Sequence, residues 1–118
     1  MAFVNDVRFT VDKRAILARL KTVLPPHLLL VEEEELRPYE CDGLTAYRET
    51  PLVVVLPETE AQVAAVLKTC HALAVPVVAR GAGTGLSGGA MPNRLGVTLA
   101  LAKFNRIVRV DKTSRSAV

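Results

Sequence analysis

The apolar positions of this chain keep switching period, and each switch predicts an element. Over residues 11 to 24, Ile16, Leu17, Leu20, Val23 and Leu24 fall at i, i+1, i+4, i+7 and i+8, one face of an amphipathic helix. Thr10 is the expected N-cap, Asp12 suits the positive end, and Pro25-Pro26 stops the helix. His27 to Val31 is short and apolar, and the acidic run Glu32 to Glu35 reads as a solvated segment. Residues 36–51 have no clear period and predict a loop with one helical turn.

From Leu52 to Leu56 every residue is apolar, which predicts a strand buried on both faces and closed by Pro57. Thr59 and Gln62 sit at N-cap and N3 of a capping box. The helix they open carries Val63, Val66, Leu67, Cys70 and Leu73 on one face. Val75 to Ala79 is a second buried strand, so residues 52–79 form a strand-helix-strand unit, for which a right-handed crossover is expected. Val97 to Leu101 predicts a third strand and Arg106 to Val110 a fourth, joined as a hairpin or meander through Ala102 to Asn105. Arg115 to Val118 reads as a strand just beginning, as in a piece of something longer. The expected class is α+β, a β-α-β unit plus meander behind an N-terminal helix.

Between the second and third strands lies "RGAGTGLSGG", residues 80–89, with five of the seven glycines of the chain. It contains a literal G-x-G-x-x-G, Gly83 to Gly88. A Rossmann turn needs a helix opening within those glycines to receive a pyrophosphate. Here only Ala90 to Gly96 separate the loop from the next strand, and Pro92 and Gly96 would cost a helix interior about 3 and about 1 kcal/mol. The alternative is an extended nest whose bare amides bind an anion without a helix dipole. Thr84 and Ser87 add hydroxyls, and Arg80 adds charge at the entrance. A glycine-rich surface turn is the plainer reading. Five glycines mixed with hydroxyl residues behind a buried strand favour a phosphate cradle.

Composition narrows the rest. In 118 residues, 50% are hydrophobic and 23% charged, a globular balance with room for one modest core. Aromatics at 4% and a net charge of +3 argue against nucleic-acid binding. No apolar run reaches membrane-helix length, and the first residues lack a secretory pattern, so a cytoplasmic protein is expected. Cys41 and Cys70 have no metal-type spacing and read as reduced thiols; His27 and His71 have no partner at ligand spacing. Glu40 and Asp42 read as solvated or turn-forming rather than an acid-base pair. Lys103, Arg106, Arg109, Lys112 and Arg115 recur every three residues, a period no strand has, and read as a solvated edge.

Val75 to Ala90 resembles the FAD pyrophosphate loop of the vanillyl-alcohol oxidase / p-cresol methylhydroxylase (VAO/PCMH) flavoproteins. "YECDGLTAYR" (39–48) resembles the segment leading into the FAD domain of the FAD-linked D-2-hydroxyacid dehydrogenases, glycolate-oxidase type. "PLVVVLPETEAQV" (51–63) resembles the first strand and helix start of that domain. The resemblance implies a PCMH-type FAD-binding fold, not Rossmann, with residues 1–38 an N-terminal helical extension and 39–118 an incomplete FAD-binding domain. It implies that Arg80, Gly81, Ala82, Gly83, Thr84, Gly85, Leu86, Ser87, Gly88 and Gly89 wrap the FAD diphosphate. Some members attach FAD through a His in this loop; Thr84 stands at that position, so the implied FAD is non-covalent. No catalytic residue is implied within this chain. The implied parent oxidises a small 2-hydroxy acid and passes electrons to other oxidase subunits, including an iron-sulfur acceptor. Its place would be cytoplasmic or peripheral to the inner membrane through those subunits, and this part alone would be inactive and prone to self-association. The other readings are a non-catalytic nucleotide-binding or interaction module complete at 118 residues and a Rossmann dehydrogenase.

Overall fold

A computed structural model describes residues 12–118. Thr10, the expected first cap, lies outside them. Helix α1 spans Lys13–Leu20, and Asp12 caps it: its carboxylate accepts from the amides of Arg14 at 2.9 Å and Ala15 at 3.4 Å. The expected helix to residue 24 ends four residues early, and Leu24 is held by a turn bond to the Leu20 carbonyl. A 3-10 turn at Pro26–Leu28 leads into the short strand β1, Leu29–Leu30.

The acidic run is not simply a solvated segment. It forms a one-turn helix, α2, Glu33–Leu36. Glu35 reaches back to accept from the amides of Val31 at 3.1 Å and Glu32 at 3.2 Å, and buried Leu36 anchors the turn. The single turn expected over 36–51 is the 3-10 helix Arg37–Tyr39.

Strand β2 is Val53–Val55, with all three side chains at 0% exposure, as a doubly covered strand requires. Helix α3, Glu60–Ala72, starts at Thr59, whose hydroxyl accepts from the Gln62 amide at 3.2 Å. Gln62 returns the bond to Glu58 rather than Thr59, at 2.7 Å, so the box closes one residue upstream of its expected place. Of the predicted apolar face, Val66 and Cys70 are buried, Val63 and Leu73 half-buried, and Leu67 is 46% exposed. Thr69 takes the buried place instead, its hydroxyl bonded to the Ala65 carbonyl at 2.9 Å. The helix ends in a Schellman motif: Val75 donates to Cys70 and Ala74 to His71, with Ala74 left-handed at φ 53.

Strand β3, Val77–Arg80, and strand β4, Val97–Ala100, complete a four-stranded sheet in the order β1-β2-β4-β3. β4 lies between β2 and β3 and is parallel to both; β1 is antiparallel to β2. Ile16, Leu20, Leu24 and Leu28 from the N-terminal segment pack with Val53, Val55, Val66, Cys70, Val97 and Leu99 on one face. Leu36, Val54 and Ala100 cluster on the other. Burial pushes the Cys70 thiol pKa above its ordinary value.

The expected hairpin through Ala102 to Asn105 does not form. Both edges of β4 are already occupied by β2 and β3, so no edge remains for a following strand. The chain instead pairs forward. Strand β5, Val110–Asp111, and strand β6, Ser116–Ala117, make a separate antiparallel hairpin, extended by bonds between Arg109 and Val118. Asp111 caps its turn, accepting from Thr113 at 3.0 Å and Ser114 at 3.2 Å.

Candidate functional site

β3 and β4 are adjacent parallel strands, yet residues 81–96 join them without a helix. That crossover is the glycine loop. No helix N-terminus meets its glycines, so the G-x-G-x-x-G match carries no Rossmann meaning here. The loop returns to the sheet through Gly96, where a Cβ would run into the Pro76 carbonyl and lie 3.0 Å from the Pro76 ring. Only a bare backbone lets Val97 reach the Pro76 oxygen for its 2.9 Å bond.

Within the loop, Gly83 and Gly88 are left-handed, at φ 72 and 74. Gly81, Gly85 and Gly89 have nothing within 4 Å of a Cβ position, so one side of the loop backbone is open. Among the described residues, no amide from Gly81 to Ala90 donates to a protein oxygen. Thr84 and Ser87 are exposed beside those amides. The arrangement is a row of free N–H donors with glycines removing steric cover, which suits an anionic ligand. The residues present therefore fit a diphosphate.

The other side of the loop is closed by residues 39–49. A Cβ on Gly43 would lie 2.6 Å from the Thr84 carbonyl oxygen, 2.8 Å from that of Gly85 and 3.0 Å from the Leu86 side chain. Asp42 precedes it, only 4% exposed, with Oδ1 accepting from the Leu44 amide at 2.8 Å. Its other oxygen, Oδ2, is buried without a partner among the described residues. Asp42 thus forms a turn, as its type suggests, but is buried rather than solvated.

Arg80 is also not a free charge at the entrance. Its guanidinium donates to the Cys41 carbonyl at 2.7 Å and lies over the Tyr39 ring, 5.4 Å from the centroid. It clamps the start of the loop to the 39–43 segment. Glu40 pairs with Arg48 at 3.2 Å, and Arg94 approaches Glu49 at 4.0 Å. All of the Arg80–Gly89 residues come together as one loop. Tyr39, the Cys41 carbonyl, Asp42 and Gly43 are the parts that sequence reasoning did not connect to it. Asp-Gly marks a turn, but nothing local signals a contact some forty positions away.

The remaining candidates stay apart. His27 and His71 are exposed, His27 approaching Glu58 at 4.0 Å. Cys41 and Cys70 are both free thiols. Lys103, Arg106, Arg109, Lys112 and Arg115 are all exposed. Among the described residues, no group of His, Cys, Asp or Glu could hold a metal ion, and no helix is long and apolar enough to cross a membrane.

A mixed sheet whose parallel strands β3 and β4 are joined by a helix-free glycine crossover defines an α+β domain of non-Rossmann type. The family model described as FAD binding domain matches residues 51–118, and the chain belongs to that family; FAD is its cofactor. The fold is PCMH/VAO-type. Alkyldihydroxyacetonephosphate synthase superposes with a TM-score of 0.75 at 19% identity, over 88% of this chain and 23% of that one. Substrate-bound p-cresol methylhydroxylase superposes with 0.71 at 27% identity, over 83% and 20%. Among curated relatives, the glycolate oxidase subunit GlcD of Escherichia coli (strain K12) is 51% identical over 107 residues, 91% of this chain. A D-lactate dehydrogenase of Archaeoglobus fulgidus is 42% identical over 66 residues, 56% of this chain and 15% of that protein. The chain spans 21% of the length of GlcD.

Proposed function

We propose that this chain supplies the first part of the FAD cradle of a flavin-dependent 2-hydroxyacid oxidoreductase of glycolate-oxidase type, with Arg80 to Gly89 holding the FAD diphosphate. The observation that carries the reading is the row of undonated amides from Gly81 to Ala90 on a loop whose outer face is open. Gly81 to Gly85 would donate main-chain bonds, with the Thr84 and Ser87 hydroxyls beside them. Charge-assisted bonds of this kind are worth about 1.5–3 kcal/mol each. Arg80 would hold the loop in place rather than neutralise the phosphates, because its guanidinium is already engaged.

In this reading residues 39–118 are the N-terminal part of the FAD-binding domain, and residues 1–38 are an N-terminal helical extension. Bound FAD supplies two-electron hydride acceptance at its ring system, and the protein supplies position and electrostatics. The substrate is a small 2-hydroxy acid, with the residues that act on it outside this chain. Further subunits, one bearing an iron-sulfur acceptor, take the electrons. The relatives named for glycolate oxidase and D-lactate dehydrogenase support the substrate class. Thr84 stands where some relatives have a flavin-linked His, so no covalent flavin bond is expected from this loop, and acid precipitation of a loaded parent should release FAD from it.

The test is a fluorescence titration with FAD, with pyrophosphate and ADP as competitors. Gly85→Val is the decisive variant: no atom lies within 4 Å of the new Cβ, so the fold tolerates it, but the added side chain fills the open face. The expected result is saturable FAD binding displaced by ADP, weakened at least about tenfold by Gly85→Val, the loss of one charge-assisted bond. FAD binding that is indifferent to both competitor and variant contradicts the assignment.

A further inference from the structure

We infer that the Asp42–Gly43 turn aims the loop amides, making Asp42 a positioning residue for FAD binding although it need not touch the cofactor. The inference rests on the diphosphate reading of the loop. The carbonyl oxygens of Thr84 and Gly85 both point at Gly43, within 2.6 and 2.8 Å of where a Cβ would stand. No cis peptide is present among the described residues, so each N–H points opposite the C=O of its own peptide unit. The unit that holds the Thr84 carbonyl also holds the Gly85 amide, and the Gly85 carbonyl shares its unit with the Leu86 amide. Turning both carbonyls toward Gly43 therefore turns the Gly85 and Leu86 amides to the opposite side. Among the described residues, neither amide donates to a protein oxygen, and a Cβ on Gly85 would meet no atom within 4 Å.

Gly43 holds this position because the turn that carries it is tied. Asp42 Oδ1 accepts from the Leu44 amide, closing the turn over residue 43, and the Arg80 bond to the Cys41 carbonyl secures the residue before it. The two ties clamp opposite ends of the same four-residue stretch. Two requirements follow. Residue 43 must lack a Cβ, and residue 42 must present a short side-chain acceptor. Asn meets the second requirement as well as Asp, because it keeps the carbonyl acceptor and lacks only the charge. Oδ2 is buried without a partner, so Asp42→Asn breaks no hydrogen bond of the turn.

The experiment is FAD titration of the 118-residue chain and its variants, read by flavin fluorescence and by the 15N-1H shifts of Gly85 and Leu86. Gly43→Ala and Asp42→Ala are expected to weaken FAD binding about tenfold or more and to shift both amides before ligand is added. Asp42→Asn is expected to stay within about threefold of the parent, with both amides unmoved; this rescue separates an acceptor role from a charge. If Asp42→Ala does not fold, Gly43→Ala and Asp42→Asn still decide the matter. Gly43→Ala binding FAD as the parent does would overturn the inference and leave the loop assignment standing. Asp42→Asn binding as weakly as Asp42→Ala would overturn it too, because the charge and not the turn would then be what matters. An absence of FAD binding by the parent chain itself would overturn both.

Discussion

Two neighbouring stretches of backbone in this protein treat their hydrogen-bonding groups in opposite ways. In β2 and β4, residues 53–55 and 97–100 are sealed between strands and helices, with exposures of 0–3% and ladder partners on both sides of all but Val53 and Ala100. In the loop that feeds β4, residues 81–90 offer their amides to nothing in the described protein. Burial explains the first: a buried N–H without a partner costs about 1–3 kcal/mol, so the sheet centre must satisfy every one. Exposure permits the second, and glycine keeps it bare. One region uses its backbone to hold the fold together, and the other leaves its amides without a protein partner among the described residues.

Gly96→Ala attacks the joint between the two regions and should have the largest effect. The added methyl meets the Pro76 carbonyl and ring, in backbone that pairs β3 with β4. We expect a loss of about 3 kcal/mol or more in urea unfolding, the scale of severe backbone strain and overpacking. Gly83→Ala should separate the regions. A left-handed Ala costs about 1–2 kcal/mol, and the methyl also presses on the clamped Arg80 guanidinium. FAD affinity should fall at least about tenfold while the β2 and β4 amides keep their slow hydrogen exchange. Equal loss of exchange protection in both regions would show that they are not independent.

Ala74→Gly acts only on the scaffold. It relieves the left-handed residue that ends α3, and a gain of up to about 1 kcal/mol is expected, visible as a Tm rise of a few degrees with FAD affinity unchanged. The smallest effect concerns the exposed hairpin. Hydrogen bonds from the Ser114 side chain and backbone, then from the Thr113 amide, hold the Asp111 carboxyl below its ordinary value of 3.8. A lowered folded pKa means the turn is favoured above the unfolded value and loses that support as pH falls through the folded one. The Thr113 and Ser114 amide shifts should therefore titrate below pH 3.8, with the sheet core unmoved.

The scaffold was largely legible because its signals are local. The continuous run at Leu52 to Leu56, the Thr59 cap and the apolar face of α3 each act within a few residues. Errors arose where tertiary context overrode local pattern. Arg106 to Val110 reads as a strand after Val97 to Leu101, but β4 has no free edge, so the segment turned forward to Val118 instead. Glu32 to Glu35 are exposed as the run reads, but they also carry a helical turn, which Glu35 caps locally and buried Leu36 anchors. The loop itself was plain from its glycines, and Pro92 and Gly96 ruled out a following helix. Its supporting side was not. Arg80 reads as a charge for phosphate until the Cys41 carbonyl and the Tyr39 ring are seen beneath it.

The central claim is that the free amides of residues 81–90 are the binding surface for the FAD diphosphate. A 15N-1H titration of this chain with FAD, repeated with inorganic pyrophosphate, tests it most directly. The account predicts saturable shifts concentrated on the Gly81 to Ala90 amides in both titrations, with Val53 to Val55 and Val97 to Ala100 unmoved. Saturable FAD shifts that leave Gly81 to Ala90 unchanged would contradict it.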